Sequence, residues 1–347
     1  MQQPDPAADQ ALPPPPAEWA PHAAIWTAWP ADAEIWPGAF EEARAQVAAM
    51  VRLLAEPGPD GRPGDRVRVL AHGEEAVASA TALVGDVAEI VPAAYGDIWL
   101  RDIGPIFRSE DACTVFAFNG WGEKYVYPHD DTAAARIAGL AGARIRGWDF
   151  VLEGGGLDWD GEGTVLTTRE CLLNPNRNPG HTQEDVERML SEALGIGKVI
   201  WIDRGLLNDH TDGHVDNIAR FVAPGLAVVQ SPSGDDDPHA ERLAEIAAAV
   251  REARDARGRR LQVKEIPSPG RVLGLDGEVV PASHMNFIIG NASVVVPTYG
   301  DTPQTAAAIE ALQALFPDRR VVGSPASYIL SGGGAFHCIT QQQPAGR

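Results

Sequence analysis

Short apolar runs of strand length alternate with amphipathic helical segments along this chain, and that alternation limits its possible folds more than any other feature. Six segments have apolar residues at helical spacing: GAFEEARAQVAAMVRLLAE, EEAVASATALV, DTAAARIAGLAG, TQEDVERMLSEALG, DPHAERLAEIAAAVREARDARG and DTPQTAAAIEALQALF. Six intervening runs are typical of strands: RVRVLA, TVFAFN, TVLTT, KVIWID, LAVVQS and NFIIGNASVVVPTYG. The pattern predicts one α/β domain of repeated βα units.

Two of these helices carry sequence signals for their ends. Asp237 followed by Pro238 is typical of a capping residue and a first helical turn, and Gly258 is expected to end the same helix. Thr302 and Pro303 are expected to open the last helix in the same way.

Charge and cysteine content restrict the class of protein. The 347 residues carry 28 basic and 48 acidic side chains, a net charge of −20, which disfavours nucleic acid and anionic lipid and suits a cationic small molecule. Three cysteines without CxxC spacing (Cys113, Cys171 and Cys338) indicate no disulfide framework and fit a reducing, cytoplasmic location. No apolar run is long enough to cross a bilayer.

The N-terminal residues differ in character from the remainder of the chain. They lack the basic and apolar regions of a signal peptide. The proline run Pro13–Pro16 is typical of extended, unfolded chain. The sequence therefore predicts a disordered tail over residues 1–15, followed by one domain over residues 16–347.

Two segments place polar side chains beside glycine-rich turns. YGDIWLRDIGP contains Trp99 and Asp102, and by itself this segment favours a surface turn with an Arg-Asp pair. In FVLEGGGLDWD, Glu153 follows an apolar strand and precedes Gly154–Gly156, where bare backbone would let a ligand approach closely. A plain turn is the alternative there too.

The segment NDHTDGHVDNIARF brings an imidazole and a carboxylate near each other. On an extended strand, His214 and Asp216 would point to the same side. The rival interpretation is a metal site, because His210 and His214 have helical spacing. TDG is a poor helical sequence, however, and no HExxH pattern is present.

The segment SGGGAFHCITQQQP surrounds Cys338 with unusual backbone freedom. A buried structural cysteine would not need Gly332–Gly334 beside it. A reactive cysteine needs a base or a cationic neighbour, and His214 could supply one if the fold brings it close. The adjacent His337 is expected to point to the other side of a strand.

Taken together, seven segments resemble the agmatine deiminase family, of the bacterial peptidylarginine deiminase type, within the guanidine-modifying pentein superfamily. These segments are PAEWAPHAAIWTAWP, GDIWLRDIGP, LEGG, ECLLNPNRNP, DHTDGHVDNIARF, PASHMNF and GGGAFHCITQQQP. They occur in family order over nearly the whole chain. The resemblance implies a pentein fold, a five-bladed α/β propeller of ββαβ repeats with pseudo-fivefold symmetry and a central active site.

The resemblance also implies roles for six residues. Cys338 matches the nucleophile, His214 the general acid/base and Glu153 the carboxylate beside the reacting carbon. The remaining three match substrate-binding positions, namely the guanidinium-binding carboxylates Asp102 and Asp216 and the aromatic wall Trp99.

The implied reaction is the hydrolysis of agmatine to N-carbamoylputrescine and ammonia, a step of putrescine biosynthesis. Two carboxylates match the forked N–H donors of a planar guanidinium. The thiolate attacks the guanidinium carbon and forms a covalent amidino-cysteine intermediate, which water then hydrolyses. No metal or organic cofactor is required. The partner is a cationic guanidine, and a homo-oligomer is in keeping with related enzymes.

Two positions depart from the family pattern and leave the substrate open. His210 stands where well-known relatives have an acidic residue, and His284 stands where tyrosine is common. The alternatives are another guanidine, either peptidyl arginine or free arginine, with Arg101, Arg177 or Arg220 binding the carboxylate of free arginine. More distant alternatives are a zinc hydrolase that uses His210, His214 and Asp216, and a non-catalytic polyamine-binding protein.

Overall fold

The computed structural model describes residues 12–346, which form five small β-sheets flanked by helices. The strands are β1 (His22–Ala28), β2 (Val67–Ala71), β3 (Ala88–Pro92), β4 (Ile106–Ser109), β5 (Ala112–Ala117), β6 (Arg144–Val151), β7 (Asp158–Trp159), β8 (Thr164–Thr168), β9 (Lys198–Ile202), β10 (Ala219–Ala223), β11 (Leu226–Ser231), β12 (Gln262–Pro267), β13 (Ile288–Ile289), β14 (Ser293–Thr298), β15 (Arg320–Pro325) and β16 (Thr340–Pro344).

Helices of three to four turns connect the parallel strands. Of the single helical turns, α3 and α10 lie between sheets, whereas α4 and α6 precede the crossover helices α5 and α7. The helices are α1 (Phe40–Ala55), α2 (Glu74–Val84), α3 (Leu100–Ile103), α4 (Gly120–Glu123), α5 (Asp130–Ala141), α6 (Arg169–Leu172), α7 (Gln183–Leu194), α8 (Ala240–Glu252), α9 (Pro303–Leu315) and α10 (Ser327–Leu330).

All five sheets share one local topology. Four of them have three strands in the orders β4-β5-β6, β7-β8-β9, β10-β11-β12 and β13-β14-β15. In each, the first pair is antiparallel and the second pair is parallel, with a helix crossing between the parallel strands. The fifth sheet has the order β16-β1-β2-β3, in which β16 pairs antiparallel with β1 and β1 pairs parallel with β2.

The fifth sheet joins two distant parts of the chain. The indole Nε1 of Trp26 in β1 donates to Oε1 of Gln343 in β16, a bond between residues 317 positions apart. The hydroxyl of Thr27 donates to the carbonyl oxygen of Ile339. These buried bonds fix the turn that contains Cys338 against β1.

The helices pack by their apolar faces onto the sheets. In α7, Val186 and Leu190 are spaced one helical turn apart and pack in one buried cluster with Val165 of β8 and Val199 of β9. A capping box at Thr182, in which the side chain accepts from the Asp185 backbone N–H and Asp185 reciprocates, fixes the start of this helix.

The sequence predicts the long helices correctly, including the cap at Thr302 and the proline in the first turn of α9. Each predicted strand run contains a strand, but other strands, among them β1, β3 and β15, are not predicted. The prediction for α8 is wrong at both ends. Asp237 lies in the turn before the helix, where its carboxylate accepts the backbone N–H groups of Ser233 and His239. The helix itself begins at Ala240 and ends at Glu252. Asp255 stops it, because its buried carboxylate accepts two backbone N–H groups of the following turn.

One predicted strand is two strands in the structure. NFIIGNASVVVPTYG divides at Gly290–Ala292 into β13 and β14, which pair antiparallel as a hairpin. The carboxylate of Asp65 accepts the backbone N–H of Asn291, and the Gly290 N–H donates to the Ser293 carbonyl oxygen. The pair Gly290-Asn291 is itself a hairpin signal, which the prediction of one continuous strand did not use.

Part of the predicted tail lies among the described residues. The carbonyl oxygen of Pro13 accepts a hydrogen bond from the Arg108 guanidinium, and Pro15 is buried. Residues 1–11, which make up most of that tail, lie outside the described residues. Within residues 12–346, every helix is too short or too polar to span a membrane.

Candidate active site

Five loop segments with polar side chains each lie shortly before the first strand of one sheet. The helical turn α3 precedes β4, Glu153–Gly156 precedes β7 and His214–Asn217 precedes β10. Asn286 precedes β13, and Cys338 precedes β16. Contacts between these segments join them into one buried cluster.

Cys338 is buried in the turn that leads into β16, with 3 % of its surface exposed. Its thiol donates to Oδ2 of Asp216 at 3.5 Å and accepts a hydrogen bond from Nδ2 of Asn286 at 3.0 Å. Burial raises the pKa of the Cys338 thiol well above its usual value, and the carboxylates of Asp216 and Asp102 raise it further. The sulfur is therefore a neutral thiol in the absence of a bound cation.

Asn286 is a site residue that sequence reasoning missed. Its Oδ1 accepts the backbone N–H groups of His337 at 2.9 Å and Cys338 at 3.2 Å. Its Nδ2 donates both to the sulfur and to Oδ1 of Asn217, at 2.9 Å. One amide thus fixes the backbone and the side chain of Cys338. Its segment, PASHMNF, was among the matching motifs, but a single asparagine in a loop carries no chemical signal of its own.

Gly155 lies at the point where three predicted site residues meet. A Cβ at this position would lie 2.6 Å from Nδ1 of His214, 2.8 Å from Oδ1 of Asp102 and 3.1 Å from Oδ2 of Asp216. The Gly155 backbone N–H donates to Oδ1 of Asp102 at 2.9 Å. Any side chain at position 155 would displace these groups, which explains glycine there.

Asp102 and His214 form a buried pair with shifted protonation equilibria. Oδ1 of Asp102 lies 3.7 Å from Nδ1 of His214, and Oδ2 accepts from the Trp121 indole at 2.9 Å. Burial raises the pKa of Asp102 to about 6, although His214 opposes that shift. Burial lowers the pKa of His214, but Asp102, Cys171 and Glu153 together outweigh burial, and the pKa lies well above the usual value. Near neutral pH the ring is therefore an imidazolium.

Glu153 is held by an arginine that links it to a neighbouring loop. Nε of Arg177 donates to Oε1 of Glu153 at 2.6 Å, and Nη1 donates to Oδ2 of Asp212 at 2.6 Å. The Arg177 guanidinium also donates to the Thr211 carbonyl oxygen. The cation therefore fixes the Glu153 carboxylate relative to the loop that leads to His214.

Behind Asp216 lies a buried chain of charged groups. His337 bridges two carboxylates, with Nδ1 2.8 Å from Oδ2 of Asp216 and Nε2 2.9 Å from Oε2 of Glu18. Glu18 accepts from Arg220, which also donates to Asp158. Contacts with His337 and nearby cations keep the pKa of Asp216 below its usual value despite burial. Asp216 is therefore an ionised carboxylate beside the sulfur.

Two local predictions about this region are wrong. His214 and Asp216 do not lie on a strand, because His214 immediately precedes a 3₁₀ turn over Val215–Asn217. Both side chains nevertheless face the same point, as their distances from the Gly155 position show. His337 does not point away on a strand either, and it contacts the same carboxylate as Cys338.

Trp99 and the triple glycine form the wall next to the sulfur. The Trp99 indole donates to Oδ2 of Asp97 at 2.7 Å and stacks on Trp36 with ring centroids 6.0 Å apart. A Cβ on Gly334 would lie 2.7 Å from the Trp99 ring and 3.0 Å from Sγ of Cys338. Glycine at position 334 therefore lets the aromatic ring and the sulfur lie on either side of bare backbone.

A cleft of about 240 Å³ opens at Cys338 and Asp102. Its remaining walls are aromatic, apolar or acidic, and no lysine or arginine of residues 12–346 lines it; the lining residues include Ile35, Pro37, Asp97, Trp99, Trp121, Tyr125, Tyr127 and His210. A second space of about 650 Å³ adjoins it and shares Ile35, Pro37, His210 and Ser331–Gly333. The shape and charge suit an elongated cation.

The two departures from the family pattern occupy different environments. His210 is exposed at the cleft, where its Nδ1 lies 3.0 Å from the Tyr125 hydroxyl. His284 is buried away from the cleft, with Nδ1 2.9 Å from the Pro267 carbonyl oxygen. Only His210 is therefore placed to contact the distal end of a substrate.

The metal site considered from sequence consisted of His210, His214 and Asp216, and the structure brings together a different set of ligand-type side chains. Within residues 12–346, the cluster with metal-ligand geometry consists of Glu153, Cys171 and His214. His210 makes its contact with Tyr125 instead. All six residues predicted for the site (Trp99, Asp102, Glu153, His214, Asp216 and Cys338) do lie together.

The profile of the Porphyromonas-type peptidyl-arginine deiminase family matches residues 15–344. The chain belongs to this family. An agmatine deiminase of Stutzerimonas stutzeri is 39 % identical, and the alignment covers 95 % of each chain. This family assignment agrees with the motifs found in the sequence.

Two solved structures superpose on this chain over nearly its whole length. The agmatine deiminase of Enterococcus faecalis superposes with a TM-score of 0.89 and 28 % identity, over 99 % of each chain. A dimethylarginine dimethylaminohydrolase superposes with a TM-score of 0.51 and 12 % identity, over 92 % of this chain and 99 % of the other. The second match shows similarity of fold alone, a mixed α/β fold of the pentein type.

Proposed function

We propose that this protein is an agmatine deiminase, which hydrolyses agmatine to N-carbamoylputrescine and ammonia. The observation that carries the proposal is the cleft that opens at the thiol of Cys338, which lies 3.5 Å from Asp216; its walls are largely acidic and aromatic, and no lysine or arginine of residues 12–346 lines it. Agmatine is a dication with a guanidinium, an alkyl chain and an ammonium, and such a cleft is complementary to all three parts.

No lysine or arginine of the described residues lines the cleft, which argues against free arginine as the substrate. The three arginines considered for its carboxylate have other buried partners: Arg101 donates to Gln341 and Gln342, Arg177 to Glu153 and Arg220 to Asp158. None of them lines the cleft. An α-carboxylate in this acidic cleft would meet like charges without a partner.

In the proposed mechanism, the substrate itself activates the nucleophile. Asp102 and Asp216 bind the guanidinium, while Trp99 lies along its chain. The positive charge next to the sulfur lowers the pKa of the Cys338 thiol, which releases its proton to solvent. The thiolate then attacks the guanidinium carbon to give a tetrahedral adduct.

His214 transfers protons in both halves of the proposed reaction. As an imidazolium it donates a proton to the departing nitrogen, and ammonia leaves an amidino group bound to Cys338. The neutral imidazole then takes a proton from water, and the resulting hydroxide attacks the amidino carbon. Collapse of this second adduct breaks the C–S bond and releases N-carbamoylputrescine and the thiolate. Glu153 orients His214 and stabilises its charged form.

The five sheets are, in this proposal, the blades of a closed pentein propeller with pseudo-fivefold symmetry. Two observations support it: each sheet is entered through one segment of the same central cluster, and β16 with β1 completes the fifth sheet from distant parts of the chain. Residues 16–347 then constitute one catalytic domain around the site.

Ammonia release from a substrate panel tests the proposed activity. We expect kcat/KM for agmatine to exceed that for arginine or guanidinobutyrate at least about 100-fold, because a carboxylate in the acidic cleft costs several kcal/mol. Guanidinobutyrate is the matched substrate, since it replaces the distal ammonium by a carboxylate. An arginine-containing peptide tests the remaining alternative. Faster turnover of arginine or the peptide would overturn the choice of agmatine.

The pH dependence of kcat/KM tests the role of Asp102. Its pKa is about 6, so the carboxylate is charged above that pH and becomes neutral below it. We expect kcat/KM for agmatine to fall about tenfold per unit below pH 6. Asp102→Asn, which is permanently neutral, should show low kcat/KM at every pH and lack this acid limb.

A second carboxylate requires a control in that experiment. Burial also raises the pKa of Asp97 to about 6, so the wild-type profile alone cannot assign the limb. Loss of the limb in Asp102→Asn is therefore what assigns it to Asp102 and not to Asp97. Asp111→Asn removes one charge from an exposed ion pair with Arg144 and should retain the wild-type profile, which controls for the loss of a negative charge alone. Wild-type kcat/KM in Asp102→Asn at pH 8 would refute the proposed guanidinium contact.

A further inference from the structure

A buried group of ligand-type side chains lies beside the proposed catalytic histidine. Glu153, Cys171 and His214 each offer one ligand atom, and these atoms lie within 4.8 Å of one another. The exposed surface fractions are 1 % for Glu153 and 0 % for the other two. Cys171 has no part in the mechanism proposed above.

The ring of His214 retains free ligand capacity. Neither of its nitrogens has a hydrogen-bond partner among residues 12–346, although the side chain is fully buried. An unpaired buried imidazole nitrogen is costly, since its desolvation is not compensated. A metal ion that displaces one ring proton and accepts the lone pair of that nitrogen would remove this cost.

The neighbouring backbone leaves space at this position. A Cβ on Gly156 would lie 3.6 Å from Sγ of Cys171 and 3.9 Å from Cδ2 of His214. Cys171 itself is fixed in α6, where its backbone N–H donates to the Thr168 hydroxyl at 3.2 Å. Glycine thus keeps the gap between sulfur and imidazole free of side-chain atoms.

We propose that Glu153, Cys171 and His214 form an inhibitory binding site for a thiophilic divalent cation, with Zn²⁺ as the matching metal. Thiolate, imidazole and carboxylate are the three ligand types that zinc takes in proteins, and a fourth, open position can hold water. On binding, the Cys171 thiol and the His214 imidazolium each release one proton to solvent, so that the sulfur coordinates as thiolate and the ring nitrogen as neutral imidazole.

The charges around the cluster favour a cation. Arg177 opposes one by its contact with Glu153, but the same guanidinium is also paired with Asp212. Oδ1 of Asp102 lies 3.7 Å from His214. The carboxylates that attract a guanidinium therefore also attract a divalent metal ion.

Inhibition follows because the metal ion occupies the group that moves protons. A coordinated His214 nitrogen can neither donate a proton to the leaving nitrogen nor accept one from water. This consequence rests on the proposed function, whereas metal binding itself does not. A spectroscopic measurement on the full chain therefore separates failure of the site from failure of the proposed activity.

Titration with Co²⁺, monitored by absorption and by ammonia release from agmatine, tests the site. Co²⁺ replaces Zn²⁺ and gives a near-ultraviolet charge-transfer band when a thiolate binds it. We expect this band to saturate over the same Co²⁺ concentrations that inhibit turnover, and a chelator to reverse both effects. Absence of a thiolate band at inhibitory concentrations would overturn the proposal.

Cysteine variants identify the coordinating sulfur. Cys171→Ser should lose the band and bind Co²⁺ at least about tenfold more weakly, whereas Cys338→Ser and the buried control Cys113→Ser should keep it. A band that persists in Cys171→Ser, or one lost in Cys338→Ser, would place the metal on another sulfur and refute the assignment. If Cys171→Ser fails to fold, a band retained in both Cys338→Ser and Cys113→Ser still assigns the sulfur, because the chain has only these three cysteines.

Discussion

Replacement of Cys338 by alanine is expected to reduce turnover of agmatine at least about 10⁴-fold, since loss of a covalent nucleophile removes the entire reaction path. Binding should survive, because Asp102 and Asp216 remain to bind the guanidinium. Ammonia release measures the first effect, and calorimetric titration with agmatine measures the second. Loss of activity with retained affinity separates a chemical role from a binding role.

The matched control for this variant is Cys113→Ala. Cys113 is also buried, but it lies in β5 away from the cleft. Both variants remove one sulfur from the interior, so thermal unfolding should show comparable small losses of stability. If Cys338→Ala turns over agmatine within a few fold of the wild-type rate, Cys338 is not the nucleophile.

Replacement of His214 by glycine is expected to lower kcat about 10²- to 10⁴-fold, the usual contribution of a general acid/base. The variant also opens a cavity the size of the lost ring at a fully buried position. Added imidazole should restore part of the activity, because it can transfer protons from the same place. Steady-state rates of ammonia release at increasing imidazole concentration measure this rescue.

His284→Gly is the corresponding control for rescue. It removes a second buried imidazole, which contacts the Pro267 carbonyl oxygen outside the cleft. Imidazole should leave its turnover unchanged. If His214→Gly keeps kcat within tenfold of wild type, another group transfers the protons and the proposed mechanism fails.

The alternation of strands and helices could be predicted because each unit carries its own local signals. The α2 and β8 boundaries match the predicted segments residue for residue. The end of α8 could not be predicted. The buried carboxylate of Asp255 stops the helix because it accepts backbone N–H groups of the next turn, and the sequence alone does not show that this carboxylate is buried. Such tertiary effects override helical periodicity.

The residue types at the site could be predicted from motifs, but the neighbouring residues that hold these side chains in place could not. The pattern predicts His337 on the far side of an extended strand, whereas in the structure it lies in a turn and bridges Asp216 and Glu18. Glu18 lies 319 positions away in sequence. A contact at that separation leaves no periodic trace in a single sequence, and the same applies to Asn286.

The pairing of β1 with β16 has a consequence for how activity is acquired during refolding. Closure of so long a loop costs more conformational entropy than forming the four local sheets, whose strands are close in sequence. The turn before β16 contains Cys338, so the nucleophile reaches its final position only with this last docking step. Recovery of catalysis should therefore lag behind recovery of secondary structure.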